Sequence, residues 1–191
     1  SDEIHADLVF DGRHHVPMAS IAPEIARRTI TLMSPSKTFN IAGLFCGFAI
    51  IPDDTLRKRF QQHAWSMIPS VNVLAYDGAQ AAYEHGDAWL REIIAQLEAN
   101  RDTVSAYVAE HLHGVAVTHN EATYLAWLDF SEVTLPDDNP HKFMVERARL
   151  GLSAGKDFGA NSERFLRLNF ATSPERLYTA LERMRAALAA L

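Results

Sequence analysis

Apolar residues in the first quarter of the chain fall in short uninterrupted runs. The runs occupy residues 8–10, 29–33 and 45–51. Runs of this kind are typical of strands that are covered on both faces of a mostly parallel sheet. Asp53 then predicts a helix start, with Leu56 and Phe60 on one face of that helix. The pattern indicates an α/β arrangement for this part of the chain.

From Ala75 onward the apolar positions follow a helical period. They are Trp89, Leu90, Ile93, Ile94, Leu97, Val104, Tyr107, Val108 and Leu112. This stripe predicts one long helix, or two nearly collinear helices, ending at Gly114. Ser173 as an N-cap and Pro174 at the first helical position predict a last helix.

Between these helices the period changes to that of strands. Strands are predicted at residues 115–117, 124–129 and 165–170, and a short helix at residues 141–150. An α/β front half is therefore joined through the long helix to a smaller α+β back half. Residues 2–5 look like the end of a strand although no strand precedes them, so the front sheet has exposed edges unless other chain covers them.

Composition excludes several classes of protein. The chain has 191 residues, a formal charge of −6 and one cysteine, Cys46, which we expect in the core. No apolar run is long enough to span a membrane, and residues 1–5 resemble neither a signal nor a transit peptide. Without basic clusters, nucleic acid is a poor partner. We expect a cytoplasmic globular protein.

A metal site is not expected either. The histidine pairs at residues 14–15 and at residues 111 and 113 have no further ligands at suitable spacing.

Lys37 is the most informative candidate for chemistry. It lies in a Ser/Pro turn with apolar sequence on both sides, which predicts a site near the interior, where a lysine can act as a nucleophilic amine. The alternative is a surface lysine in a polar turn. Residues 34–37 also fit the S-x-x-K pattern of penicillin-recognising enzymes, but S-D-N and K-T-G motifs are absent. Residues 2–5 fit a helicase D-E-x-H box, but no phosphate-binding loop accompanies them.

Arg167 is the second candidate. Strand alternation puts Phe165, Arg167 and Asn169 on one face of a largely apolar strand. An arginine there is costly unless it is paired. Its partner is either the carboxylate of a substrate or an acid of the protein itself.

Three segments in this order carry a family resemblance: S-D-E-I-H-A-D-L at residues 1–8, S-P-S-K-T-F-N-I-A-G-L at 34–44, and F-L-R-L-N-F-A at 165–171. They resemble the class I/II aminotransferase superfamily, fold type I of the pyridoxal-phosphate (PLP) enzymes. The start, together with E-A-T-Y-L-A-W-L-D at residues 121–129, is most similar to the cystathionine β-lyase, or C–S lyase, branch (the MalY/PatB group). The resemblance covers the whole chain but only about the C-terminal half of a family member.

The resemblance implies two domains and a set of cofactor contacts. Residues 1–95 would be the C-terminal part of the PLP-binding large domain, with its mostly parallel sheet. Residues 96–191 would be the small C-terminal domain with the long connecting helix. Lys37 would form the imine with the PLP aldehyde and then take the Cα proton, and Asp2 would pair with the ring nitrogen.

Further contacts follow from the same resemblance. The hydroxyl of Ser34, with help from Ser36, would bind the cofactor phosphate. His5 stands where many relatives place a tyrosine beside the ring oxygen. Phe45 stands where many aminotransferases have a phosphate-binding arginine.

The substrate would be held by Arg167, which would bind its α-carboxylate, and bordered by Thr123 or Tyr124. Tyr124 and Trp127 also fit a packing role.

By this resemblance the function is PLP-dependent C–S β-lysis of an L-cysteine conjugate. An aminotransferase using the same residues is the alternative, and a non-catalytic fragment is a third reading, since the family's N-terminal half supplies other cofactor contacts. The expected partners are a small amino-acid substrate and a second copy in a homodimer, with residues 70–73 reaching towards the partner's site. Nucleic acid and membrane are not expected.

Overall fold

The computed structural model describes residues 1–68 and 70–191. The chain divides into two compact units, Ser1–Ile94 and Ala95–Leu191. The assignment of the two halves as the end of a cofactor-binding domain and a small domain stays a prediction.

The first unit is built from short elements. They are α1 (Pro23–Ala26), β1 (Thr31–Met33), α2 (Pro35–Thr38), β2 (Phe48–Ile50), α3 (Asp54–Ala64) and α4 (Val73–His85). A longer helix, α5 (Asp87–His111), begins in this unit and continues into the second. The side chain of Asp53 accepts a hydrogen bond from the Leu56 amide at 2.7 Å, so α3 begins as predicted.

Strand pairing in the first unit differs from the prediction of a mostly parallel sheet. β1 pairs antiparallel with β2, and Leu32 lies opposite Ala49. Asp2 forms an isolated parallel bridge with Leu32 of β1. The length and hydrophobicity of an apolar run do not determine whether the strand that pairs with it is parallel or antiparallel. Residues 8–10 do not form one of the strands of this unit either. Leu8 and Phe10 are fully buried, and this burial accounts for their apolar side chains.

Of the two predicted alternatives, one long helix or two, the structure has two helices, α4 and α5, separated at Gly86, and α5 ends at His111 rather than at Gly114. A Cβ atom on Gly86 would overlap the ring of Phe39, so this close approach requires glycine. Ala75 and Ala79 of α4 form a small core with Cys46. The expectation that Cys46 is a buried core residue is confirmed.

The second unit contains an antiparallel sheet and the rest of the helices. Its elements after α5 are β3 (Ala116–Val117), β4 (Leu125–Asp129), α6 (Pro140–Phe143), β5 (Ser153–Ala154), β6 (Phe165–Asn169) and α7 (Pro174–Leu188). The strand order is β3-β4-β6-β5, and neighbouring strands in this order pair antiparallel. The predicted short helix at 141–150 is present as α6 followed directly by a π-helical turn, Met144–Ala148.

The core of the second unit lies on the inner face of this sheet. Leu128 of β4 and Leu166 of β6 are fully buried, as are Leu177 and Leu181 of α7. The amide nitrogen of the Asn100 side chain donates to the Phe170 carbonyl at 2.8 Å, which ties α5 to the end of β6. Among the described residues, no helix has the length and hydrophobicity needed to cross a membrane.

Candidate active site

Asp2 lies at the edge of β1 because the backbone fixes it there. The Leu32 amide donates to the Ser1 carbonyl at 2.8 Å, and the Glu3 amide donates to the Leu32 carbonyl at 3.0 Å. The Asp2 side chain is exposed, and its Oδ1 accepts from the Ile4 amide at 3.2 Å. It lines a groove of about 560 Å³, together with Ser34 and several apolar side chains.

Ser34 begins α2 and is buried. Its hydroxyl lies 2.5 Å from the Cys46 carbonyl oxygen and 2.6 Å from Ser36 Oγ. Because a hydroxyl has one proton and a carbonyl has none, Ser34 donates to Cys46 and accepts from Ser36. The Ser36 amide also donates to Ser34 Oγ at 3.1 Å, as in an N-cap. The two serines predicted to act together are therefore in direct contact.

Lys37 is exposed, so the expectation that it lies near the interior is wrong for this chain. In the short helix α2, Pro35 and Thr38 are the residues that turn inward. Thr38 Oγ1 donates to Asp7 Oδ2 at 2.9 Å, and this contact holds the opposite side of the helix. Among residues 1–68 and 70–191, no hydrogen-bond or ion-pair partner engages the Lys37 amine, so the amine is available to react.

Two neighbours of Asp2 complete this group. His5 is half-buried, and its carbonyl accepts from the Leu8 amide at 3.0 Å. Glu3 is buried and accepts from His15 Nε2 at 2.9 Å and from the Met18 amide at 3.0 Å. Burial acts to raise the pKa of Glu3, but these hydrogen bonds outweigh it and the pKa is lowered. Glu3 thus anchors the segment that follows the site, a role that the sequence did not indicate.

Arg167 lies in the middle of β6 and is half-buried. Trp127 of β4 and Ser153 of β5 are its cross-strand neighbours. Its Cζ lies 4.0 Å from the centre of the Phe158 ring. In the part of the chain that the structure describes, no carboxylate forms an ion pair with Arg167, so the alternative of a structural ion pair finds no support.

Tyr124 lies just before β4 and is half-buried. Its carbonyl oxygen accepts from the Phe170 amide at 2.9 Å. Burial raises the pKa of Tyr124, and the charge of Arg167 partly opposes this. Tyr124 and Arg167, both predicted to contact substrate, are therefore electrostatic neighbours.

The predicted site residues thus form two groups. Asp2, His5, Ser34, Ser36 and Lys37 belong to the unit Ser1–Ile94, whereas Tyr124 and Arg167 belong to the unit Ala95–Leu191. Sequence reasoning missed Phe158, whose place over Arg167 depends on the turn that precedes β6.

The fold and the order of these groups define the class to which the chain belongs. A mixed α/β chain with a lysine in the turn after β1, and an arginine in the antiparallel sheet that follows, has the architecture of part of a fold type I enzyme. The family described as Aminotransferase class I and II matches residues 1–184. The chain belongs to this family.

Relatives within the family include a lyase. The chain is 38% identical to cystathionine β-lyase PatB of Bacillus subtilis over 189 residues, which are 98% of this chain and 49% of PatB.

Two crystal structures superpose on the chain. OvoB is 43% identical, has a TM-score of 0.94 and is matched over 100% of this chain and 49% of its own. Cystalysin from Treponema denticola, which contains PLP, is 31% identical with a TM-score of 0.94, over 100% of this chain and 48% of its own. The chain therefore spans about half the length of these relatives.

Proposed function

We propose that the full-length protein is a PLP-dependent C–S β-lyase that cleaves an L-cysteine conjugate, such as cystathionine, to a thiol, pyruvate and ammonia. The observation that carries this proposal is the 38% identity to a cystathionine β-lyase along 98% of this chain. The segments that contain Asp2, Lys37 and Arg167 all lie within the matched family region.

The residues of the groove beside β1 fit PLP. Phe45, Phe48 and Val71 give it apolar walls that suit a flat ring, and the Asp2 carboxylate suits a protonated ring nitrogen. The hydroxyl of Ser34, which lines the groove, and that of Ser36, which contacts Ser34, suit a phosphate. Because Ser34 donates to the Cys46 carbonyl, we expect both hydroxyls to turn when a phosphate binds.

When bound, PLP supplies an electron sink for the charge that develops at Cα of the substrate. Within that chemistry, Asp2 keeps the ring nitrogen protonated. Lys37 Nζ would hold the PLP aldehyde carbon until the substrate amine takes its place there, and the freed amine would then be positioned to accept the Cα proton. The planar guanidinium of Arg167 binds the α-carboxylate with two parallel N–H donors. Tyr124 borders the carboxylate beside Arg167.

Incubation of the full-length protein with L-cystathionine tests the reaction. A lyase releases pyruvate and a free thiol in equal amounts, measured by lactate dehydrogenase coupling and by a thiol reagent. An aminotransferase, the function for which the family is named, instead yields a keto acid that keeps its sulfur. Keto acid without free thiol would reject the lyase.

The third reading, a non-catalytic fragment, makes a different prediction for the 191-residue chain alone. If this chain holds the cofactor, addition of PLP gives visible absorbance, and borohydride fixes the cofactor on Lys37, where peptide mass spectrometry finds it. A chain that stays colourless supports the fragment reading, and the cofactor contacts then depend on the rest of the protein.

We further propose a homodimer in the cytoplasm. Large exposed apolar side chains support the dimer, among them Trp65, which is 91% exposed, and Met67. Asn72, in the segment expected to reach a partner, caps α4 and donates to the Leu44 carbonyl at 3.2 Å. Sedimentation equilibrium of the full-length protein should give twice the chain mass.

A further inference from the structure

We propose that Phe158 is a positioning residue for Arg167: its ring fixes the plane of the guanidinium so that the N–H edge faces the substrate carboxylate. This inference rests on the proposed role of Arg167 in carboxylate binding. It concerns residues of the unit Ala95–Leu191 alone.

The rings around Arg167 form a connected set, here called the aromatic frame: Trp127, Phe158 and Phe165. Phe158 meets Trp127 edge to face, with ring centres 5.8 Å apart and planes at 80°. Trp127 stacks on Phe165 at 5.5 Å and 14°. Both geometries are favourable for aromatic pairs. Contact with Trp127, which is itself stacked on Phe165, therefore restricts the orientation of the Phe158 ring.

The backbone before β6 sets the place of Phe158. The residue ends a 3₁₀ turn, Gly155–Phe158. A Cβ atom on Gly155 would overlap the carbonyl oxygens of Ser162 and Phe165, so only glycine allows the turn to lie this close to the start of β6. The ring is 48% exposed, so core packing alone does not account for a large aromatic at this position.

The chemistry of the contact explains why a ring suits this position better than an acid. A guanidinium carries its five N–H donors in one plane, and a ring stacked on its face attracts the charge without using any of them. A carboxylate of the protein would occupy the same donors that a substrate carboxylate needs. Among the described residues, no such acid competes at Arg167, so its planar edge is free for a bidentate ligand.

The test measures binding of L-alanine, which has the carboxylate but no β-leaving group, and of ethylamine, which lacks the carboxylate. The full-length protein with bound cofactor is titrated with each compound and followed by visible absorbance. Phe158→Leu, which keeps apolar volume but removes the ring, should weaken L-alanine by about 3- to 30-fold. Ethylamine should change by less than about 2-fold, because it makes no contact with Arg167.

Two variants make this result specific. Phe158→Tyr keeps the ring and should restore L-alanine binding. Tyr178→Leu removes an exposed ring elsewhere in the same unit and should leave both dissociation constants unchanged. Thermal melting of each variant shows whether the fold is intact, and loss of folding in both Phe158 variants would assign the ring to packing and overturn the inference.

The outcomes separate this inference from the proposed function. Equal weakening of L-alanine and ethylamine, or no weakening of either, would overturn the role of Phe158 and leave the lyase proposal standing if Arg167→Lys still weakens L-alanine. If Arg167→Lys leaves L-alanine binding unchanged, the carboxylate role of Arg167 fails, and the inference fails with it.

Discussion

The two units differ most in how they bury apolar surface. Of the largest fully buried side chains of the described residues, Leu8 and Phe10 belong to Ser1–Ile94, and the others belong to Ala95–Leu191. Exposed large hydrophobic residues show the reverse distribution, with Trp65 at 91% and Phe45 at 84% exposure in the first unit. The second unit therefore has a hydrophobic core of its own, whereas the first leaves much of its apolar surface outside.

Polar contacts hold the first unit where a core does not. Glu3 binds His15 and the Met18 amide, Ser34 binds the Cys46 carbonyl, and Thr38 binds Asp7. The candidate cofactor residues thus lie on backbone that is fixed by hydrogen bonds and next to exposed apolar side chains. Exposed apolar surface of this kind is typical of an interaction face, and the proposed homodimer and the rest of the full-length protein are the partners that we expect to cover it.

Lys37→Ala tests whether the first unit carries the proposed catalytic amine, and it has the largest expected effect. Removing the amine that moves the Cα proton should lower turnover of the full-length protein by a factor of about 10³ or more. Because Lys37 is exposed, the melting temperature should not change. Lys58→Ala, at an exposed lysine of α3, is the matched control. Retention of a tenth of the activity in Lys37→Ala would contradict the assigned role.

Matched leucine-to-alanine changes test the packing side. Leu128→Ala, in the core of the second unit, should lower the free energy of unfolding by about 2–5 kcal/mol. Leu74→Ala, on the exposed face of α4, should cost less than about 0.5 kcal/mol in the 191-residue chain. Denaturant melts measure both. A distinctly larger cost of Leu74→Ala in the full-length protein would indicate that this face is covered there, and an equal cost would argue against it.

We expect the second unit to become less stable at alkaline pH because of Tyr107. Burial, together with the hydrogen bond to Glu182, raises the pKa of Tyr107 from 10.0 to about 12. A group with a raised folded pKa gives stability that is complete below its unfolded pKa and is lost as the pH rises through the folded value. Stability should therefore fall between pH 10 and 12. In Tyr107→Phe this fall should be smaller, as measured by denaturant melts at pH 9 and 11, and an identical fall would contradict the prediction.

We expect the opposite pH dependence of stability in the first unit because of Glu3, and this is the smallest of the expected effects. Its pKa is lowered from 4.5 in the folded chain, so its contribution is present above that value and is lost as the pH falls through the folded pKa. Hydrogen exchange of the Glu3 and Leu32 amides at pH 6 and pH 4 should show this loss. Glu3→Gln should flatten the dependence, while Glu24→Gln, an exposed change in α1, should not.

Prediction from the sequence was most successful where a local signal decides the structure. Asp53 and Ser173 cap α3 and α7 as expected, and alternation along β6 gives the observed burial of Leu166 and Leu168 with Arg167 on the other face. It was wrong for residues 8–10 and for the interior position of Lys37, and it did not anticipate the antiparallel pairing of β1 with β2. In each case apolar sequence was interpreted as a buried strand or a buried turn. Hydrophobicity predicts that a segment is buried, but it does not identify the residues against which the segment packs.

The sequence by itself determined the family, the cap residues and the order of the candidate groups, because these depend on residue types at fixed spacing. Tertiary structure alone decided the antiparallel pairing of β1 with β2, the Glu3–His15 contact and the ring of Phe158 over Arg167. Each of these contacts joins residues whose separation along the chain does not predict that they meet. The contact of Phe158 with Arg167 also depends on Gly155, which allows the turn before β6 to lie close to the backbone of Ser162 and Phe165. Local pattern fixes what each segment can be, and packing in three dimensions fixes which segments meet.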